Sequence, residues 1–472
     1  MRGDTPERAY STRLRTALVL TGSGTAGAYH AGVLRALHEA GVRIDVVAGR
    51  GIGAIGAMFA AVDGGAKLWD AGGLWKRSSI RGAYGWRPSL KAAGWALAVA
   101  GVLLAVPLLL FAAGVLIAIA GVLLWLVGLT GAQAAMTSWY ARSLDALFAP
   151  TALPTVLPRL IVLSLVVALG VCAGMLVGRV MHAPARRRVG RGRLWQLLGA
   201  PLTTSSLIDG ALAELWNLIR GAAPIAAPSN TELGRKYAEL LAENLGQPGF
   251  RELLLVTHDM DAGRDIVFAL LGSAHRGRFF GGPADANRGA ETLDLGGLGR
   301  DHVVDALAAA LALPVATEPH LVRYAIDGPW RGEAHRLCDR PGALPRLLEE
   351  VAAAGAEQVI VLSGAPLPSQ AHELSSGRGD LRGHAGEQLG SFETAALRDA
   401  AELVAGRFGG VYFIRPVHNP VGPLDFGGSD DERSDRRFSL SELVDRGYED
   451  AYRQFIDPVV GASGERMETV QS

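Results

Sequence analysis

The chain has 472 residues and carries 46 basic and 46 acidic side chains. Zero formal charge gives no general pull toward nucleic acid or another polyanion, and two distant cysteines, Cys172 and Cys338, offer neither a disulfide framework nor a cysteine metal site. The length allows two or three domains, or one domain with a large insertion.

Arg2, Arg8, Arg13 and Arg15 precede the apolar run Ala17–Leu20, which is too short for a signal-peptide core and is read as a first strand that begins in the cytoplasm. Residues 16–20 have the unbroken apolar pattern of a strand buried on both faces. Thr21–Gly27 is a glycine-rich turn, residues 28–38 have helical spacing, and Gly41 ends that helix. Ile44–Ala48 is the second strand, so the order is that of a βαβ unit. A glycine-rich turn at a helix N-terminus suits an anion, phosphate or oxyanion. Gly22-Ser23-Gly24-Thr25-Ala26-Gly27 fits G-x-G-x-x-G, but Arg50 and Gly51 stand where a ribose-binding acid belongs. No cofactor is therefore expected.

The second strand runs into Gly49-Arg50-Gly51-Ile52-Gly53. This is the frame of a nucleophile elbow, G-x-S-x-G, in which a strained strand-to-helix turn displays a serine. Gly51 stands at the serine position.

Residues 58–91 are mixed and basic, whereas 92–132 hold no charged side chain. One bilayer span needs about 20 apolar residues. Pro107 and Gly101, Gly114 and Gly121 allow a break or close helix packing. A second apolar run, Leu160–Gly178, is followed by Arg179, Arg186, Arg187, Arg188, Arg191 and Arg193. Basic residues at both ends of the insertion place both ends in the cytoplasm, so the number of spans is even. Two spans, within about 92–132 and 160–181, are the simplest solution, and four are also compatible. The expectation is a multi-pass protein of the inner (cytoplasmic) membrane. Its soluble part lies on the cytoplasmic side, and membrane lipids are its partners.

Residues 194–247 return to helical, soluble character. Leu253–Thr257 and Asp265–Leu270 form a hairpin around a His258–Arg264 turn, where His258 and Asp259 are weak acid–base candidates. Residues 301–315 read as an Ala/Leu-rich helix, Gln358–Ser363 and Gly410–Pro416 as strands, 365–395 as a surface loop, 440–454 as a helix and 463–472 as a tail. The histidines are too scattered for a metal site.

Gly27-Ala28-Tyr29-His30-Ala31-Gly32-Val33-Leu34, the elbow and Tyr324-Ala325-Ile326-Asp327-Gly328 together resemble the patatin-like phospholipase family. That family combines a glycine oxyanion loop, a G-x-Y-x-x-G-V-L helix start, a G-x-S-x-G elbow and a downstream D-G-[GA] turn. The resemblance implies an α/β three-layer sandwich with a largely parallel central sheet, here interrupted by a transmembrane helical insertion. It divides the chain into residues 1–60, an insertion at 61–247, a second α/β part at 248–460 and a flexible tail at 461–472. It places Gly51 at the nucleophile position, Asp327 at the aspartate position of the dyad, Gly22, Ser23, Gly24 and Gly27 on the oxyanion loop, and Gly49 and Gly53 on the elbow. Ser23, Ala26 and Pro329 depart from the family pattern at two of these elements. Without a serine hydroxyl, the expected function is a membrane-anchored lipid acyl hydrolase fold that binds membrane lipid esters with hydrolysis lost or strongly reduced. Two alternatives stay open: an active hydrolase with a displaced nucleophile such as Ser23, and a non-catalytic scaffold for an unidentified protein partner.

Overall fold

The computed structural model describes residues 10–148, 157–182, 199–281, 288–326, 330–366, 380–403, 406–431 and 436–461. The chain divides into two compact units, Met1–Gly85 with Leu202–Ser472, and Trp86–Pro201.

Nine strands build the sheet of the first unit: β1 (Thr16–Thr21), β2 (Val46–Arg50), β3 (Glu252–Asp259), β4 (Arg264–Leu270), β5 (Ala290–Asp294), β6 (His320–Arg323), β7 (Ala334–Cys338), β8 (Gln358–Ser363) and β9 (Gly410–Ile414). The main path runs β9-β8-β1-β2-β3-β4-β5, with β7 on β3 and β6 on β7. The four central pairings, β9/β8, β8/β1, β1/β2 and β2/β3, are parallel. The predicted hairpin is present as antiparallel β3/β4, with Leu253 opposite Leu270 and Asp259 opposite Arg264.

Alternation along β1 explains why its sequence is apolar throughout. Leu18 and Leu20 enter one core and Ala17 and Val19 the other, so helices cover both faces of the parallel sheet. The first core takes α1 (Ala26–Glu39) and α2 (Gly53–Ala61). Leu74, Trp75, Leu207 and Leu215 also belong to this core.

Strand β7 fixes the position of the site. β4 occupies one edge of β3 along its whole length, and β2 occupies the other only as far as Val256. β7 then takes over that second edge, with Cys338 opposite His258. The residue after β7 therefore arrives where β2 turns away into the elbow.

In the second unit, α3 (Pro88–Leu126), α4 (Thr130–Phe148) and α5 (Leu157–His182) are helical. Among the described residues, α3 alone is long and apolar enough to cross a membrane, judged by length and composition. The second expected span falls on α5, whose described apolar portion is Arg159–Met175. Back in the first unit follow α6 (Ser205–Arg220), α7 (Asn230–Asn244), α8 (Val303–Leu311) and α9 (Leu344–Ala353). The stretch read as a surface loop is partly helical: α10 (Leu381–Leu403) turns Leu389 toward the first core and Ala396, Leu397 and Ala400 toward the second. Its glycines obscure that periodicity in the sequence. Residues 367–379 of the same stretch, and the 463–472 tail, lie outside the described residues.

α11 (Leu440–Ala451) begins with a capping box, Ser439 and Glu442 reciprocally bonded, and crosses α1 at very short range. A Cβ at Gly32 would lie 1.8 Å from the Val444 carbonyl oxygen. Gly32→Ala therefore must push two buried helices apart, with an expected loss of about 2–3 kcal/mol, measurable by equilibrium denaturant unfolding; an unchanged midpoint would contradict this packing.

Candidate functional site

A tight strand-to-helix turn occupies Gly49–Gly53. β2 ends at Arg50, α2 begins at Gly53, and Gly51 between them has φ +54°, in the left-handed region that glycine enters without strain. The flanking glycines are steric requirements. A Cβ on Gly53 would lie 2.2 Å from the Leu20 carbonyl oxygen, and one on Gly49 would lie 2.7 Å from that of Gly53.

The glycine loop lies directly on this turn. The N–H of Ile52 donates to the Gly22 carbonyl oxygen at 3.1 Å. A Cβ at position 51 would stand only 2.3 Å from the same oxygen. In a hydrolase elbow, the N–H after the nucleophile is an oxyanion donor. Here that donor is taken by the protein's own carbonyl. The loop is clamped from its other side as well: the N–H of Thr25 donates to Pro423 O at 2.9 Å and the Thr25 hydroxyl donates to Gly422 O at 2.9 Å.

Arg50 is wholly buried beneath the elbow, between two carboxylates that are themselves 1% and 3% exposed, Asp339 and Glu393. Its Nε and Nη2 donate to Asp339 Oδ1 and Oδ2 at 3.1 and 2.6 Å. Its Nη1 donates to both Glu393 oxygens at 2.6 and 2.8 Å and to the Thr21 hydroxyl at 2.9 Å. The hydroxyls of Thr21 and Ser23 each donate to Glu393 at 3.3 Å. Burial works against the guanidinium's charge, but the two carboxylates hold its pKa above the ordinary arginine value. Burial pushes the Asp339 carboxyl above the usual carboxylate range, against the pull of Arg50. Burial also lowers His30 to about 3, so this imidazole is neutral at pH 7 and its Nε2–H donates to the Thr21 carbonyl at 3.1 Å.

Among the described residues, the carboxylate that meets the elbow is Asp339, whose Oδ2 would be 3.0 Å from a Cβ at position 51. Asp327, the residue expected at the dyad position, lies with Gly328 and Pro329 outside the described residues. Gly22, Ser23, Gly24, Gly27, Gly49, Gly51 and Gly53 all gather here: a Cβ on Gly24 would strike Pro423 O, and one on Gly27 would strike Trp75 and Ile52. Sequence reasoning missed Asp339 and Glu393. The signal for Asp339 was a strand, Ala334–Cys338, ending on an acid before Arg340-Pro341-Gly342 and an amphipathic helix. His258 and Asp259 lie outside this cluster, in contacts of their own, Asp259 with His335 among them. His258 Nδ1 pairs with Asp265 at 2.9 Å, and Asp259 accepts from the N–H groups of Asp261 and Ala262. Among the described residues, no group of His, Cys, Asp and Glu side chains could hold a metal.

The family model described as patatin-like phospholipase matches residues 18–331, which is most of the chain. The chain belongs to the patatin-like phospholipase family. The match spans the glycine loop and the elbow of this patatin-like fold and ends before Asp339. No curated protein matches the sequence. Among solved structures, VipD from Legionella pneumophila aligns with 94% of this chain and 67% of its own at 13% identity, with a TM-score of 0.29. That likeness is too slight to bear on the site.

Removing one partner of a buried ion cluster costs about 3–5 kcal/mol because the others stay buried and uncompensated. Arg50→Met is expected to lose stability on that scale in denaturant unfolding, and adding Asp339→Asn with Glu393→Gln is expected to restore part of it. The pH dependence follows from Asp339. Its folded pKa is raised, so the native state binds the extra proton, and the stability contributed below the unfolded value of about 4 is lost as pH rises through the folded value. Asp339→Asn should remove that decline from unfolding curves collected upward from pH 4.

Proposed function

We propose that this patatin-like protein associates with membrane lipid esters and does not hydrolyse them. The observation that carries this reading is the Gly22 carbonyl on the Ile52 N–H. It takes the oxyanion donor and the space a nucleophile's side chain needs. Acyl transfer needs a positioned hydroxyl, a base and a free oxyanion site. Position 51 supplies no hydroxyl, and Asp339 is committed to Arg50 through both oxygens. In the same reading the helical unit holds the protein in the inner membrane, with both flanks of the insertion on the cytoplasmic side. The support is the charge-free stretch 92–132 and its basic borders.

One contact favours a second reading, a displaced nucleophile. The Ser23 hydroxyl lies 3.3 Å from Glu393, a serine–carboxylate pair. Arg50 holds that same carboxylate through two hydrogen bonds, which leaves it a poor base.

A serine-reactive fluorophosphonate probe separates the two readings. The wild type is expected to stay unlabelled. Gly51→Ser is also expected to stay unlabelled and to lose about 1–3 kcal/mol, because its new Cβ must displace a backbone carbonyl. Any labelling of the wild type would overturn the inactive reading, and labelling that disappears with Ser23→Ala would establish the displaced nucleophile.

A further inference from the structure

At the end of the sheet opposite the elbow, the first unit holds a cavity of about 110 Å³. α2 starts at the elbow and reaches this cavity with Ala60. Its nine residues separate the two places by about 13 Å. Leu34 and Leu37 of α1, Val42 and Ile44 ahead of β2, and Ala60 give the cavity an apolar wall. Leu34, Leu37, Val42 and Ala60 are buried members of the first core, so that wall is fixed by packing. Three polar side chains line the same cavity: His38, Asp63 and Arg251. Those of His38 and Asp63 are half exposed and stand at its mouth, whereas Arg251 is mostly buried.

The backbone holds the two charges in place. Val62 pairs with Phe250 in an antiparallel bridge, and the N–H of Arg251 donates to Ala61 O at 2.9 Å. The end of α2 is thus pinned to the start of β3, with Asp63 and Arg251 on either side of the pin. Asp63 has φ +52°, a left-handed conformation that aspartate tolerates. Gly249 makes room for it, since a Cβ there would lie 2.9 Å from that of Asp63. Arg251 Nη1 donates to Ala60 O and Gly249 O, and its Nε and Nη2 make no hydrogen bond among the described residues. Asp63 Oδ1 lies 3.9 Å from Arg251 Nη1 and 3.7 Å from His38 Nδ1, too far to hydrogen-bond either. Burial lowers the Arg251 pKa against the pull of Asp63 and Asp45. A guanidinium and a carboxylate therefore face one apolar cavity, each with hydrogen-bonding capacity unused.

We propose that this cavity binds a free apolar α-amino acid of the size of valine or leucine. The ligand's carboxylate lies on the guanidinium of Arg251, its ammonium on the carboxylate of Asp63, and its side chain against Leu34, Leu37 and Val42. Charge selects a zwitterion: a ligand of one sign gains from one of the two groups and loses to the other, whereas a zwitterion gains from both. Volume selects the side chain. An apolar cavity of ~150 Å³ takes a benzene ring, so one of about 110 Å³ takes a branched aliphatic group. The site is separate from the elbow and stands independently of the membrane reading.

Equilibrium dialysis of radiolabelled L-leucine against the detergent-solubilised full chain tests this. The unlabelled competitors are L-valine, isocaproate, which lacks the ammonium, and isoamylamine, which lacks the carboxylate. Saturable binding of leucine is expected, displaced by valine. Isocaproate and isoamylamine are each expected to compete at least about tenfold more weakly, since each gives up one charge-assisted hydrogen bond. Two variants locate the site. Ala66→Leu fills the cavity from its exposed rim, and Asp63→Asn removes the charge while keeping a residue suited to the left-handed backbone. Both are expected to keep the ligand-free thermal midpoint and to bind leucine at least about tenfold more weakly. No saturable binding at millimolar leucine overturns the proposal. Competition by isocaproate or isoamylamine as strong as by leucine overturns the zwitterion, and undiminished binding by either variant overturns the site.

Discussion

The guanidinium of Arg50, clasped between Asp339 and Glu393, organises the centre of this protein. It is wholly buried, and its three nitrogens share five hydrogen bonds with the two carboxylates and Thr21. A buried ion cluster adds little net stability over an apolar core of the same shape, but it tolerates no missing member. It also imposes geometry. β2, the turn after β7 and α10 come from three distant parts of the chain, and each must deliver one charge to the same point.

That point lies beneath the elbow. The fold has kept the strand-to-helix turn and its glycines, since these are backbone requirements: φ +54° at Gly51 and the tight crossing of α2 over β1 at Gly53. The polar groups around the turn are engaged by one another. The carboxylate neutralises an arginine, the N–H after position 51 binds the loop's own carbonyl, and the loop is fastened from outside by Gly422 and Pro423. Each of these contacts satisfies a buried polar group that would otherwise be costly. Together they make the closed site the stable arrangement.

Much of the frame was legible in the sequence because it depends on local chemistry. Residues 16–20 could only be a strand buried on both faces, and Gly49, Gly51 and Gly53 could only be a tight turn. The β3–β4 hairpin followed from two apolar runs around a polar turn. The carboxylates at the centre were not legible in the same way. Asp339 reaches the elbow because β7 replaces β2 along the edge of β3, a non-local pairing that no local pattern reports. Glu393 sits on a helix whose glycines and histidine give the composition of a loop. Arg50 was visible as a residue, but a buried arginine acquires meaning only with its partners.

The central claim is that the elbow holds a closed structural cluster in place of a hydrolytic one. Incubating the purified full chain with mixed phospholipid vesicles, followed by mass spectrometry of the lipids, tests it most directly. Phospholipids recovered intact, with no lysolipid or free fatty acid beyond a protein-free control, are the predicted result. Release of fatty acid or lysolipid by the wild type above that control would contradict it.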